Sequence, residues 1–294
     1  MTRFTTAVGA WIVILIAALP ATQQPTFRAA VDVARIDVSV MNGLSPVPGL
    51  TRDQFVITDN GVAQSVDAVS MDTAPLDLTL VLDTSASMRL DRIAQLIDAS
   101  KTLVRGLRQD DQASLITFAD GISRAVPMTR DREAVLSALN RLVANGSTAL
   151  NDAVFLALQL RPSEPGESRP VLLVFSDGHD NASWLSGDQV LEATRRSGML
   201  MHVIELIAPE MPGSLVRPSN FLGDLAKAGG GRQWIADKAS DLNNLFGKAL
   251  NELRARYLLT YSLTGVKREG WHDVKVTLKG ARGEVTARPG YFVP

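Results

Sequence analysis

From residue 76 to residue 254, short runs that are apolar on both faces alternate with stretches of helical periodicity, and few folds satisfy that pattern. The apolar runs cover 76–82, 113–118, 122–128, 171–175, 200–206 and 233–236. The helical stretches cover 89–107, 132–142, 150–160, 189–196, 221–228 and 242–253. A strand with no polar face must be covered on both sides, as parallel strands under helices are. Asp120-Gly121, between the second and third runs, is a hairpin signal that makes the third an antiparallel edge. Residues 75–254 are therefore expected to form a doubly wound α/β domain with a mostly parallel sheet.

The flanks follow another rhythm. Across 27–73, Val31, Val33, Ile36, Val38 and Val40 alternate with polar residues, and turns at Asn42-Gly43 and Asp59-Asn60-Gly61 separate further short runs. Across 256–294 the alternation returns at Leu259, Tyr261 and Leu263, then Trp271, Val274, Val276 and Leu278, then Val285 and Tyr291, predicting three strands. Neither flank has enough strands for a core of its own. The economical arrangement pairs them into one small β-sandwich with the α/β domain inserted between; the alternative is two separate β-extensions.

The N-terminus resembles a targeting segment. Arg3 precedes an apolar run over 7–19, followed by small residues and the polar stretch Thr22-Gln23-Gln24-Pro25. The run is shorter than the roughly 20 residues a spanning helix needs, and it fits a signal peptide over 1–21, cut at a point the sequence does not fix. The alternatives are an uncleaved anchor and a buried N-terminal helix. Cleavage implies an exported protein, periplasmic or extracellular, with no membrane span left. The chain has no cysteine, which excludes a disulfide framework, a thiolate metal site and an acylated Cys anchor. With 30 basic and 31 acidic residues and no Lys/Arg run, it lacks the charge footprint of a nucleic-acid binder.

Three loops carry the chemistry. Asp83-Thr84-Ser85-Ala86-Ser87 follows the first strand, Gly146-Ser147-Thr148 opens a helix, and Ser176-Asp177-Gly178 ends the fourth strand. D-x-S-x-S alone is equally a polar loop with a helix cap. In an open α/β sheet, however, ligands bind beyond the carboxyl ends of the strands where the order reverses. For an order of 3-2-1-4-5-6, that crevice lies between the strands ending at Asp83 and Asp177. Two carboxylates and the hydroxyls of Ser85, Ser87 and Thr148 are then delivered to one place. All are hard oxygen donors, which favours Mg²⁺, or Ca²⁺ or Mn²⁺ in its place, over zinc or copper.

Asp83, Ser85, Ser87, Thr148 and Asp177 resemble, residue for residue, the metal-ion-dependent adhesion site of von Willebrand factor type A (VWA) and integrin I-type domains. The whole chain is similar to secreted bacterial VWA-related proteins. These carry a D-G-x-x-Q element near the start and an R-x-G-Y element at the end, here Asn60-Gly61-Val62-Ala63-Gln64 and Arg288-Pro289-Gly290-Tyr291. Asn60 stands where that pattern has Asp, in a turn away from the metal residues. The resemblance implies a Rossmann-like domain whose bound ion takes a Glu or Asp carboxylate of a protein partner into its open position.

Two other functional classes remain. A structural component would use the ion only to brace its loops; chelation separates this from ligand exchange. A hydrolase would need a triad such as Ser85, His179 and Asp180, but an Asp adjacent to the His is poorly placed to orient it, and no G-x-S-x-G elbow is present. His202 lies in an apolar strand and His272 in the C-terminal β region, and both are read as structural. Gly229-Gly230-Gly231 lacks the Lys of a P-loop and is read as a turn before the last strand. The apolar stripe of 242–253 is read as a cover for the sheet; the resemblance to integrin-type domains, whose last helix shifts when the metal site is occupied, implies as an alternative that it relays occupancy into the C-terminal strands.

Overall fold

A computed structural model describes residues 33–71, 73–89, 91–160, 168–207 and 217–293, which belong to one compact unit. The expected leader lies outside the described residues. The chain begins with β1 (Val33–Asn42), β2 (Ser45–Pro46), β3 (Phe55–Asp59), β4 (Val62–Gln64) and β5 (Ala68–Met71). The α/β portion follows: β6 (Leu76–Asp83), α1 (Asp91–Arg105), β7 (Gln112–Phe118), β8 (Ile122–Thr129), α2 (Arg132–Leu139) and α3 (Leu150–Gln159). It continues through β9 (Arg169–Ser176), α4 (Gly187–Ser197), β10 (Leu200–Leu206), α5 (Asn220–Ala228), β11 (Gly230–Ala236) and α6 (Leu242–Arg254). The last strands are β12 (Tyr257–Ser262), β13 (Gly270–Leu278), β14 (Glu284–Ala287) and β15 (Gly290–Val293).

The six-stranded sheet runs β11-β10-β9-β6-β7-β8, parallel except for β8, which turns back on β7 through Asp120-Gly121. This is the expected mostly parallel doubly wound sheet with one antiparallel edge. Every residue of β6 is buried, because helices cover both of its faces. Leu78, Leu80 and Leu82 pack toward α1, α2 and α6, while Val81 packs toward α3, α4 and α5. Each such leucine contributes roughly 1.5–3 kcal/mol over its exposed state. The helices are bounded by their own chemistry. In α4 the Ser186 hydroxyl accepts from the Gln189 N–H, the Gln189 side chain returns to the Ser186 N–H, and Gly198 ends the helix at φ +74°.

The order reverses between β6 and β9: β7 and β8 extend one side, β10 and β11 the other. The carboxyl ends of β6 and β9 therefore open a crevice at the centre of the sheet, and that position sets the site.

The terminal strands form two antiparallel sheets. One runs β14-β1-β12-β5 with β2 added to β1; the other runs β15-β13-β3-β4. The register sets Ile36 against Leu259 and Val38 against both Tyr257 and Ala287. Ile36 and Leu259 from the first sheet and Ile57 and Val276 from the second share one buried cluster, with Phe55 edge-on to Tyr257 at 5.4 Å. The β3–β4 turn has Asn60 at φ +48° and Gly61 at φ +79°, the left-handed pair of a type I′ hairpin, which Asn-Gly adopts readily.

Two expectations need correction. The glycine run is only partly a turn, because β11 begins at Gly230. A Cβ on Gly231 would fall 1.9 Å from the Met201 carbonyl oxygen, so the glycines let β11 close onto β10 early. The C-terminal flank has four strands, not three. Pro289 has no N–H to donate, and around Arg288-Pro289 the chain leaves β1's sheet as β14 and joins β13's sheet as β15.

Candidate metal centre

The site is built from the end of β6 upward. Asp83 closes that strand fully buried, with Oδ1 accepting from the Ser85 N–H at 2.9 Å and Oδ2 from the Ser176 hydroxyl at 2.9 Å. The first bond folds the Asp83–Ser87 loop over its own carboxylate and lifts both serines above it. The Ser85 and Ser87 hydroxyl oxygens stand 3.0 Å apart. Backbone bonds tie this loop to the next, from Ala86 N to Gly146 O at 3.0 Å and from Asn145 N to Thr84 O at 2.8 Å. Gly146, at φ +81°, makes the bend that brings Thr148 in.

Thr148 is gripped by the third loop. Its N–H donates to Asn181 Oδ1 at 2.8 Å, and its carbonyl accepts from the Asn181 and Ala182 N–H groups at 3.0 and 3.1 Å. Asp177 follows β9 directly, and Gly178 turns the chain at φ +85°, where a Cβ would fall 2.9 Å from Glu205 Oε1 and 3.0 Å from Ser219 Cβ. Ser85, Ser87, Thr148 and Asp177 line one cavity of about 480 Å³ together with Arg92 and His179, while Asp83 lies beneath its floor. All five residues singled out in the sequence thus meet at the crevice.

Burial pushes the Asp83 carboxyl up to about 6, with the neighbouring Asp177 adding to the rise, against hydrogen bonds from Ser85 and Ser176. A cation in the cavity would reverse this by favouring the charged form. The histidine beside the site makes no triad. His179 Nδ1 faces Asp177 Oδ1 at 3.3 Å, whereas Asp180 bonds the Asn151 N–H at 2.8 Å and the Ser183 hydroxyl at 2.7 Å. Among the described residues, no group of three or more His, Cys, Asp or Glu is placed to hold a metal ion.

Sequence reasoning missed Ser176 and Asn181, which touch the carboxylate and the threonine that were singled out. The only available signal was adjacency, since Ser176 precedes Asp177 and Asn181 lies in the same loop.

The family model for the von Willebrand factor type A domain matches residues 78–179, a stretch that includes all three loops. Those residues belong to a von Willebrand factor type A domain. A solved von Willebrand factor type A protein from Catenulispora acidiphila superposes with a TM-score of 0.54 at 14% identity, covering 87% of this chain and 71% of that one. Proximal thread matrix protein 1 of the mussel byssus, solved with a zinc-occupied adhesion-site motif, gives a TM-score of 0.54 at 15% identity over 66% of this chain and 49% of that one. At these identities the likeness is one of fold. An uncharacterized protein of Borreliella burgdorferi is 30% identical over 148 residues, 47% of this chain and 42% of its own length. Another, from Synechocystis, is 29% identical over 108 residues. The chain thus matches less than half the length of these curated relatives, at 42% and 26%. No helix among the described residues is long and apolar enough to cross a membrane.

Proposed function

We propose that this is an exported protein whose VWA domain binds a divalent ion, Mg²⁺ before Ca²⁺ or Mn²⁺, through Asp83, Ser85, Ser87, Thr148 and Asp177. Through that ion it docks an Asp or Glu carboxylate of a protein partner. The observation that carries the reading is the convergence of three hydroxyls and Asp177 on one cavity above the buried Asp83. The donor set supports the choice of ion, because all five residues offer hard oxygens and none is His or Cys.

With neutral hydroxyls supplying most of the contacts, the ion keeps enough positive charge to attract an incoming carboxylate. Arg92, whose guanidinium donates to the Ser87 carbonyl at 3.1 Å, lines the same cavity and favours an anion there. The five residues are equipped to hold an ion and a ligand, and the role assigned to them is docking without catalysis. Export rests on the N-terminal apolar run with Arg3 before it and small residues behind it. The test is affinity capture from native extract by the full chain. Partners retained in Mg²⁺ should be lost with chelator and with Asp177→Ala, and partners retained under both conditions would contradict the proposal.

A further inference from the structure

At the other end of the six-stranded sheet, a second cavity of about 250 Å³ opens where the starts of β9, β10 and β11 meet β1, β12 and the Arg288-Pro289 corner. Its charged lining is Arg35, Arg169, Arg256 and Arg288 against a single carboxylate, Asp37, four positive charges to one negative. Arg169 and Arg256 are engaged: Arg169 Nε lies 3.0 Å from Asp37, and the fully buried Arg256 also pairs with Asp37 and donates to the Gly230 carbonyl at 2.8 Å. Arg256 further faces Glu252 at 3.4 Å, and Glu252 is shared with Arg232 at 3.3 Å. The available carboxylates are thus already committed to other arginines.

Arg288 is the exception. Its Nε and Nη2 atoms are buried and have no hydrogen-bond partner. These two donors are neighbours on one edge of the guanidinium plane, the edge that clamps two oxygens of one oxyanion side-on. The backbone that carries them is closely packed, since a Cβ on Gly230, at φ +73°, would fall 2.5 Å from Arg288 N. Asp37 acts on Arg288 electrostatically, but burial outweighs it and the two donors stay unsatisfied, a cost that an arriving oxyanion would offset. Nearby His202 feels the same surplus: burial, then the charges of Arg256 and Arg232, holds it down at about 3.

We propose that this cavity is a second ligand site, for a phosphate-type oxyanion that draws the Arg288 guanidinium to it, with the exposed Arg35 at its rim. The charge surplus favours a dianion over a single carboxylate. The site lies on the face where the VWA sheet meets the terminal strands, so its ligand joins elements of both.

The test is calorimetric titration of inorganic phosphate into the full chain in chloride buffer without Mg²⁺, with thermal unfolding followed in parallel. Wild type should bind phosphate and unfold at a higher temperature in its presence, and acetate should bind more weakly. Arg288→Gln should bind at least about tenfold more weakly, the scale of a lost charge-assisted contact. Arg288→Lys, which keeps the charge and loses the fork, should fall between the two. Asp83→Ala should bind phosphate as wild type does, which separates this site from the metal centre. An absence of binding by wild type would overturn the proposal. So would equal binding and equal thermal shifts in wild type, Arg288→Gln and Arg288→Lys.

Discussion

The Ser176 hydroxyl holds one oxygen of Asp83 while the Ser85 N–H holds the other, so the carboxylate beneath the cavity has little freedom left. Groups that orient a metal-site residue without touching the ion typically change affinity 10–100-fold when removed. Ser176→Ala should therefore weaken Mg²⁺ binding by about that factor while the fold persists, as titration calorimetry would show; wild-type affinity would mean the bond orients nothing. His202 offers a different check. Burial, and after it Arg256 and Arg232, with Asp37 opposing, lowers its pKa from an ordinary 6.5 to about 3. The unfolded chain then takes up a proton that the folded chain refuses. Stability should be complete above about pH 6.5 and fall progressively as the pH drops toward 3. His202→Asn cannot take up that proton, so its unfolding midpoint should depend less on pH between those limits. Identical pH profiles for variant and wild type would remove His202 from the account.

At the scale of elements, β1 shows why the terminal segments depend on each other. It pairs with β12 on one side and β14 on the other, so both long neighbours of the first strand come from the far end of the chain. A piece covering 27–73 retains β1 to β5 without those partners, too few and too short to bury a core. Expressed alone, it should give a poorly dispersed NMR spectrum or aggregate; a well-dispersed spectrum would show that it folds unaided. The strands themselves were legible because alternation and Asn-Gly turns are local signals. The β14–β15 crossing was not, because it rests on a single Pro289 and on which sheet has room for the next strand. The early start of β11 was hidden for a similar reason, since only the approach of Met201 shows why glycine is needed there. α6 packs its apolar stripe against the core, and Arg254 binds the buried Asp111, so its C-terminal end is fastened to the loop before β7.

Across the whole molecule, the doubly wound sheet dictates where chemistry can gather. Continuous apolar runs and one hairpin signal pointed to a mostly parallel sheet with an antiparallel edge, for which the order 3-2-1-4-5-6 was assumed. Given that order, Asp83 and Asp177 had to emerge at the reversal, which is how residues 94 positions apart could be assigned to one crevice from sequence. The arginine-lined cavity could not be found that way. Arg35, Arg169, Arg256 and Arg288 come from four separate parts of the chain with no shared pattern, and only the meeting of the sheets assembles them. The central claim is that Asp83 and Asp177 hold a divalent ion over the crevice. Its most direct test is calorimetric titration of Mg²⁺ into the metal-free full chain, beside Asp83→Ala and Asp177→Ala variants whose circular dichroism matches wild type. The account predicts saturable binding by wild type and its loss in both variants, whereas unchanged binding in both would contradict it.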